Sequence, residues 1–287
     1  MRLVAERTVR LPGGYIDSLN VCHREATPRG LQGLDQDWMA SLPADVPEPV
    51  FVTELLARTV RRIGSHRTSP ELMRKLSIGD RDFLLLQIGR LTFGSTIDLL
   101  LTCPDIGCGA RMHAAFDLDT FEVDAAPSQP FYVLSSADGD IRFRLPAGED
   151  QEEAVGWKEM EREEKRGRFL ARCVLSSSVE KYRRDPSGPA ALADAMERVT
   201  PKVEIEFDAA CPECGRRFAT DLDPAQWLIG ELRRRLRDFE HEAHLLSIHY
   251  HWPIRQILAM PLARRARWVA MLRREMDRPA AWASNYA

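Results

Sequence analysis

Four cysteines carry the clearest chemical signal in the chain. Cys103 and Cys108 lie in Thr-Cys-Pro-Asp-Ile-Gly-Cys-Gly, and Cys211 and Cys214 lie in Ala-Cys-Pro-Glu-Cys-Gly. Each pair reads Cys-Pro, a short spacer, then Cys-Gly. Proline starts a turn, glycine lets the backbone close, and the two thiolates point inward. Two such half-sites make one tetrahedral all-thiolate zinc site with no open coordination position, which is structural rather than catalytic chemistry. The same ligands also suit iron in a rubredoxin-like site. A redox Cys-x-x-Cys of the thioredoxin kind belongs where a strand meets a helix, whereas Cys214 is followed by glycine and a strand-like run. Cys22 and Cys173 have no partner at ligand spacing, and Cys173, close to Leu170 and Val174, reads as core.

Other reactive side chains give weaker patterns. His241-Glu242-Ala243-His244 fails the metalloprotease spacing, which needs histidines four apart with glutamate directly after the first. His249 and His251 add imidazoles nearby, and packing at a helix end beside Tyr250 and Trp252 is the plainer reading. Arg233, Arg234, Arg235 and Arg237, then Arg264, Arg265, Arg267, Arg273 and Arg274, raise the question of nucleic acid. Asp238, Glu240, Glu242 and Glu275 interrupt that series, as on a solvated helix face or a surface for an anionic protein partner. A phosphate-binding glycine loop and a nucleophile elbow are not found, and Pro12-Gly13-Gly14 precedes no helix.

The elements that must position the cysteines repeat. Thr96 to Thr102 reads as a strand, the first knuckle follows, and Met112 to Leu118 returns. Val203 to Phe207 alternates with period two, the second knuckle follows, and Arg217 to Thr220 returns. The two units close on Asp117-Leu-Asp119 and Asp221-Leu-Asp223. The simplest assembly packs both hairpins across one shared ion. The expected fold class is α+β, with helical segments around a discontinuous zinc-knuckle β module made of two β-hairpins. The expected organisation is an extended N-terminal arm and linker over 1–49, a helical segment over 50–95, the module over 96–119 plus 203–223, an inserted α/β segment over 120–202, and a C-terminal helical segment over 224–287.

Within these segments, Thr8 to Pro12 is strand-like, Gly13-Gly14 is a turn, and a second extended run passes Val21 and His23. Asp35 caps a short helix. Leu55, Leu56, Val60 and Ile63 recur at helical spacing, with Gly64 as the stop, and Asp80 opens the next helix. Phe131 to Leu134 and Ile141 to Leu145 form a hairpin around Asp138-Gly139-Asp140. Gln151 to about Ser176 is a charged helical stretch, Tyr182 to Pro189 is a loop, and Ala190 to Val199 is helical. Pro224 begins a long helix with an apolar stripe through Leu228, Leu232, Leu236, Phe239, Ala243 and Leu246. Two shorter helices start at Pro253 and Pro261, and Pro279 to Ala287 reads as a tail.

Bulk properties bound the function. With 287 residues, 44% of them hydrophobic and 29% charged, the chain can bury ample core. A net charge of −3 is not that of a chain built to coat nucleic acid. No apolar run reaches the ~18 residues of a membrane helix, and the N-terminal residues lack a signal-peptide core. A reducing cytoplasm and metal-bound thiolates are therefore expected over a disulfide framework.

Several segments in order resemble the T4-type baseplate hub assembly chaperone family of contractile phage tails and related injection systems. They are Leu11-Pro-Gly-Gly-Tyr15 with His23-Arg24; Gly79-Asp-Arg-Asp-Phe-Leu-Leu-Leu86 with Arg90-Leu-Thr-Phe-Gly94; the two knuckles; Phe143-Arg-Leu-Pro-Ala-Gly148 with Asp150; and His244-Leu-Leu, His249-Tyr-His-Trp252 and Ile257-Leu-Ala-Met-Pro261. The resemblance implies a non-enzymatic assembly factor or structural component, with baseplate hub, spike or other tail proteins as partners and a place in the cytoplasm or in a tail-like particle. It brings no catalytic residues. The metal ligands expected are Cys103, Cys108, Cys211 and Cys214, holding a structural zinc. The alternative is a zinc-ribbon nucleic-acid-binding regulator, and a metalloenzyme would need an open coordination position.

Overall fold

The computed structural model describes residues 7–277 apart from 122, 124, 136–138, 185–187 and 204. Strand β1 (Val9–Ile16) turns through Asp17 to Asn20 into β2 (Cys22–Pro28). Helices α1 (Gly33–Ala40) and α2 (Glu48–Thr59) follow, and the chain then pairs β3 (Val60–Ile63) with β4 (His66–Arg67). The four strands make one antiparallel sheet in the order β1-β2-β3-β4.

Two sequence expectations change here. Gly13-Gly14 is not the turn. β1 runs through it with a register shift between Arg10 and Tyr15, because both glycine amides are occupied by a carboxylate from another element. Val60 and Ile63 lie on a strand and not on the helix: a buried-exposed-exposed-buried run fits either element over four residues, and Gly64 (φ 55) forms the hairpin turn instead of a helix stop. From residue 7 onward, the segment read as an extended arm supplies two strands of this sheet, with Leu11 and Ala26 fully buried.

Helix α3 (Pro70–Lys75) is capped by the Ser69 hydroxyl, which accepts from Leu72 N–H at 3.3 Å. Helix α4 (Ile78–Phe93) is capped in the same way by Ser77. Asp35 and Asp80 thus sit inside the first turns of α1 and α4, behind the caps Gln32 and Ser77. The main core joins Leu11, Leu55, Leu56, Leu84, Leu85 and Ile88 with residues of the long C-terminal helix.

After α4 come β5 (Thr96–Thr102) and β6 (Arg111–Asp117), the first knuckle hairpin, paired in register from Thr96↔Asp117 to Thr102↔Arg111. The insertion holds β7 (Tyr132–Leu134) and β8 (Ile141–Phe143), then α5 (Gly148–Ala154), α6 (Arg162–Cys173), α7 (Val179–Arg184) and α8 (Gly188–Val199). The expected single charged helix is thus two, α5 and α6, and the expected loop from Tyr182 begins inside α7. The turn expected at Asp138-Gly139-Asp140 lies partly outside the described residues. Tyr132, Ile141, Phe143, Leu170, Cys173 and Leu192 form a separate small core.

The second knuckle hairpin pairs β9 (Ile205–Ala210) with β10 (Arg217–Leu222). Helices α9 (Pro224–Tyr250), α10 (Ile254–Leu258) and α11 (Leu262–Met276) complete the described chain. The Asp223 carboxylate caps α9 by accepting from Ala225 and Gln226 N–H, each at 2.9 Å. The expected stripe holds: Leu228, Leu232, Phe239, Ala243 and Leu246 are buried. The result is a mixed α/β chain with small hairpin sheets. The expected C-terminal tail from Pro279 lies outside the described residues.

Four of these helices begin in pairs. Gln32 bridges Pro261, and Ser77 bridges Ala147, each as an isolated antiparallel contact. In the first pair Gly33 N–H donates to Met260 C=O and Leu262 N–H to Leu31 C=O; in the second Gly148 N–H donates to Leu76 C=O and Ile78 N–H to Pro146 C=O. Arg29 and Asp35 form a two-pronged ion pair, as do Arg144 and Asp150. The spacing Arg-x-x-x-Gly-x-Asp is common to both. One clasp therefore occurs twice, closing the C-terminal helices onto α1 and the insertion onto α4.

Candidate metal centre

Each knuckle is built by its own backbone. Cys103 N–H donates to Ala110 C=O at 2.9 Å, continuing the β5–β6 ladder, and Cys108 and Gly109 N–H both donate to Asp105 C=O at 3.0 Å. Cys211 N–H donates to Arg216 C=O, and Gly215 N–H returns to Cys211 C=O, each at 2.9 Å. Gly109 (φ 55) and Gly215 (φ 72) occupy the left-handed conformation that closes each loop, which is why glycine follows the second cysteine of each pair. Asp105 of the first knuckle then accepts from Arg216 of the second at 2.9 Å.

The two hairpins face each other. Phe116 and Phe207 stack with centroids 6.1 Å apart, and Leu86, Ile97, Leu118, Val203, Ile205 and Leu222 form the core beneath them. Leu118 and Leu222 are the central residues of the two Asp-Leu-Asp closures, so the repeat seen in the sequence is a repeat in packing.

This arrangement brings all four cysteines together. Their sulfurs lie within 4.8 Å of one another. Cys103 Sγ is 3.7 Å from Cys214 Sγ, and Cys108 Sγ is 3.7 Å from Cys211 Sγ, so each first cysteine faces the second cysteine of the other knuckle. A tetrahedron of sulfurs about 2.3 Å from a central ion has edges of roughly 3.8 Å. A disulfide would need about 2.05 Å. The donor set and its spacing therefore fit an ion at the centre. Cys103 and Cys211 are only 3% and 2% exposed, and Met112, Leu101 and Phe218 pack around the group.

The thiols already share their environment unequally. The Cys214 N–H leads in drawing Cys211 down to about 7. The Ala110 N–H pulls Cys108 down, but desolvation and the neighbouring thiols push it up to about 12. A bound cation would ionise such a set together.

The remaining candidates disperse. Among the described residues, His241, His244, His249 and His251 join no group of ligand-type side chains at metal spacing. Tyr250 and Trp252 stack at 4.8 Å, with Trp268 against both. Arg234 and Arg235 pair with Glu231, Arg235 covers the Phe93 ring at 4.5 Å, and Arg265 is buried against Glu242 and Gln36. Cys173 is fully buried, as expected. A second group, Asp17, His23 and His66, gathers at the tips of the β1–β2 and β3–β4 hairpins. No spacing signal marks it, because Asp17 lies in the β1–β2 turn, His23 near the start of β2 and His66 at the start of β4.

Residues 52–183 match the family model described as T4 bacteriophage base plate protein. This match supports a T4-type baseplate protein, and it spans the chain from α2 into α7, including the first knuckle. No curated protein and no solved structure matches the chain. No described helix is long and apolar enough to cross a membrane.

Proposed function

We propose that the chain is a non-enzymatic assembly chaperone or structural component of the baseplate hub of a contractile phage tail-like injection system. The observation that carries this reading is the baseplate family match over residues 52–183. Cys103, Cys108, Cys211 and Cys214 hold a structural zinc, an assignment supported by the 3.7 Å sulfur spacings and by a set of four thiolates that leaves no position for substrate. The ion joins 96–119 to 203–223 as one module, with 120–202 inserted between its halves. The first knuckle belongs to the family-matched region and the second lies beyond it, so the zinc ties the C-terminal helices to the baseplate region. The partners are hub, spike or other tail proteins, met in the cytoplasm or in the particle.

Affinity purification of the full chain from cells that produce the tail-like particle should recover hub or spike proteins. A deletion strain should fail to build baseplates with attached sheath. Normal particles from that strain would overturn the proposal.

A further inference from the structure

We propose that Asp17, His23 and His66 form a second metal site, open to solvent on one side, for a divalent transition ion such as Zn²⁺. His23 Nε2 lies 2.9 Å from Asp17 Oδ2, His66 Nε2 lies 3.1 Å from His23 Nε2, and His66 Nε2 lies 3.6 Å from Asp17 Oδ2. Nitrogen and oxygen ligands about 2.0–2.2 Å from one ion, at angles between 90° and 109°, stand roughly 2.8–3.6 Å apart. The three distances span that range.

The cluster is awkward without a cation. A neutral imidazole nitrogen offers either one proton or one lone pair. If His23 Nε2–H donates to Asp17, the His66 nitrogen is left at 3.1 Å from a donor whose proton is already engaged. If His66 Nε2–H donates to His23, the His23 lone pair faces a carboxylate oxygen at 2.9 Å. An ion between them removes the conflict, because all three atoms then present lone pairs to one positive centre.

The surroundings hold the three atoms in place. Asp17 Oδ1 accepts from Leu19 and Val21 N–H, each at 2.9 Å, which leaves Oδ2 for the histidines. The Tyr15 ring packs on both imidazoles, with centroids 6.3 and 5.4 Å away. At Gly64 a Cβ would come within 2.5 Å of His23 Nδ1, so the β3–β4 turn closes directly over that ring. Side-chain exposure is 12% for Asp17, 16% for His23 and 36% for His66. The open side is therefore at His66, where water or a donor from a bound protein completes the coordination. Two imidazoles and a carboxylate select a borderline transition ion over calcium or magnesium.

The test is titration of zinc chloride into the full chain already carrying one equivalent in the cysteine site. Wild type should take up one further equivalent, and His66→Ala and Asp17→Asn should each lose it with the far-ultraviolet circular dichroism unchanged. X-ray absorption at the zinc edge reads the same site with no substitution. With two equivalents bound, a nitrogen/oxygen shell at about 2.0–2.1 Å should accompany the sulfur shell at about 2.3 Å. No second equivalent in wild type, its retention in both variants, or a sulfur shell alone would overturn the proposal. Cys211→Ser separates it from the cysteine reading, since only the sulfur-bound equivalent should disappear there.

Discussion

The Arg81 guanidinium lies directly against Gly148, where a Cβ would collide with it. Arg81 is 1% exposed and donates to Thr53 Oγ1 at 3.0 Å, Met73 C=O at 2.9 Å and Pro49 C=O at 3.1 Å. The partner clasp repeats the relationship: a Cβ on Gly33 would meet Arg265 Nη1 at 2.8 Å. A buried cation held by three acceptors has nowhere to move. Gly148→Ala should therefore destabilise the chain by about 1–3 kcal/mol, the usual cost of overpacking. Urea denaturation would read this as a lower midpoint at unchanged slope, and an unchanged midpoint would remove the argument.

Asp80 explains why β1 passes straight through two glycines. Its buried carboxylate accepts from Gly13 N–H at 2.8 Å, from Gly14 N–H at 3.0 Å and from the Ser77 hydroxyl at 2.8 Å. Asp80→Ala leaves those amides without a partner in the interior. A loss of about 2 kcal/mol or more is expected, since each stranded buried group costs about 1–3 kcal/mol. Hydrogen exchange at Gly13 and Gly14 should accelerate by more than at the β5–β6 ladder, which localises the effect.

Asp82 makes stability depend on pH. Burial pushes its carboxyl up to about 7, Asp223 adds like charge, and Arg81 opposes. The folded chain then keeps a proton that the unfolded chain has lost above the ordinary carboxyl value of 3.8. This contribution is complete below that value and is lost as pH rises through about 7. Melting temperature should therefore fall between about pH 4 and 7 and level off above that, and Asp82→Asn should flatten that slope. An identical slope in the variant would show that other groups set it.

Cys211→Ser should remove one metal equivalent and lower the melting temperature of the whole chain instead of abolishing a single binding activity. A structural zinc contributes on the order of 10 kcal/mol in small zinc-dependent units. Prolonged chelation of wild type should reproduce the variant's melt. A variant that kept both its metal and its melting temperature would refute the shared cysteine site.

What could be read from the chain was whatever is written within a few consecutive residues. Cys-Pro and Cys-Gly carry their own turn chemistry, so both knuckles and their flanking strands were legible from local types and spacing, and the Asp-Leu-Asp closures marked them as a pair. The stripe on α9 was legible for the same reason, since 3.6-residue periodicity is local. β3 was not: Val60 and Ile63 continue the spacing of Leu55 and Leu56, and only pairing with β2 makes them a strand.

By itself, then, the sequence marked the four cysteines, the hairpins that bear them and the apolar faces of the long helices, because those depend on neighbours along the chain. The tertiary structure alone decided that Gly13 meets Asp80, that Arg81 lies on Gly148, and that Asp17, His23 and His66 converge. Those contacts join residues 67, 67 and up to 49 positions apart through hydrogen bonds and packing that no spacing rule encodes. A side chain's local type says what it can bind, and only the fold says which group is brought within reach.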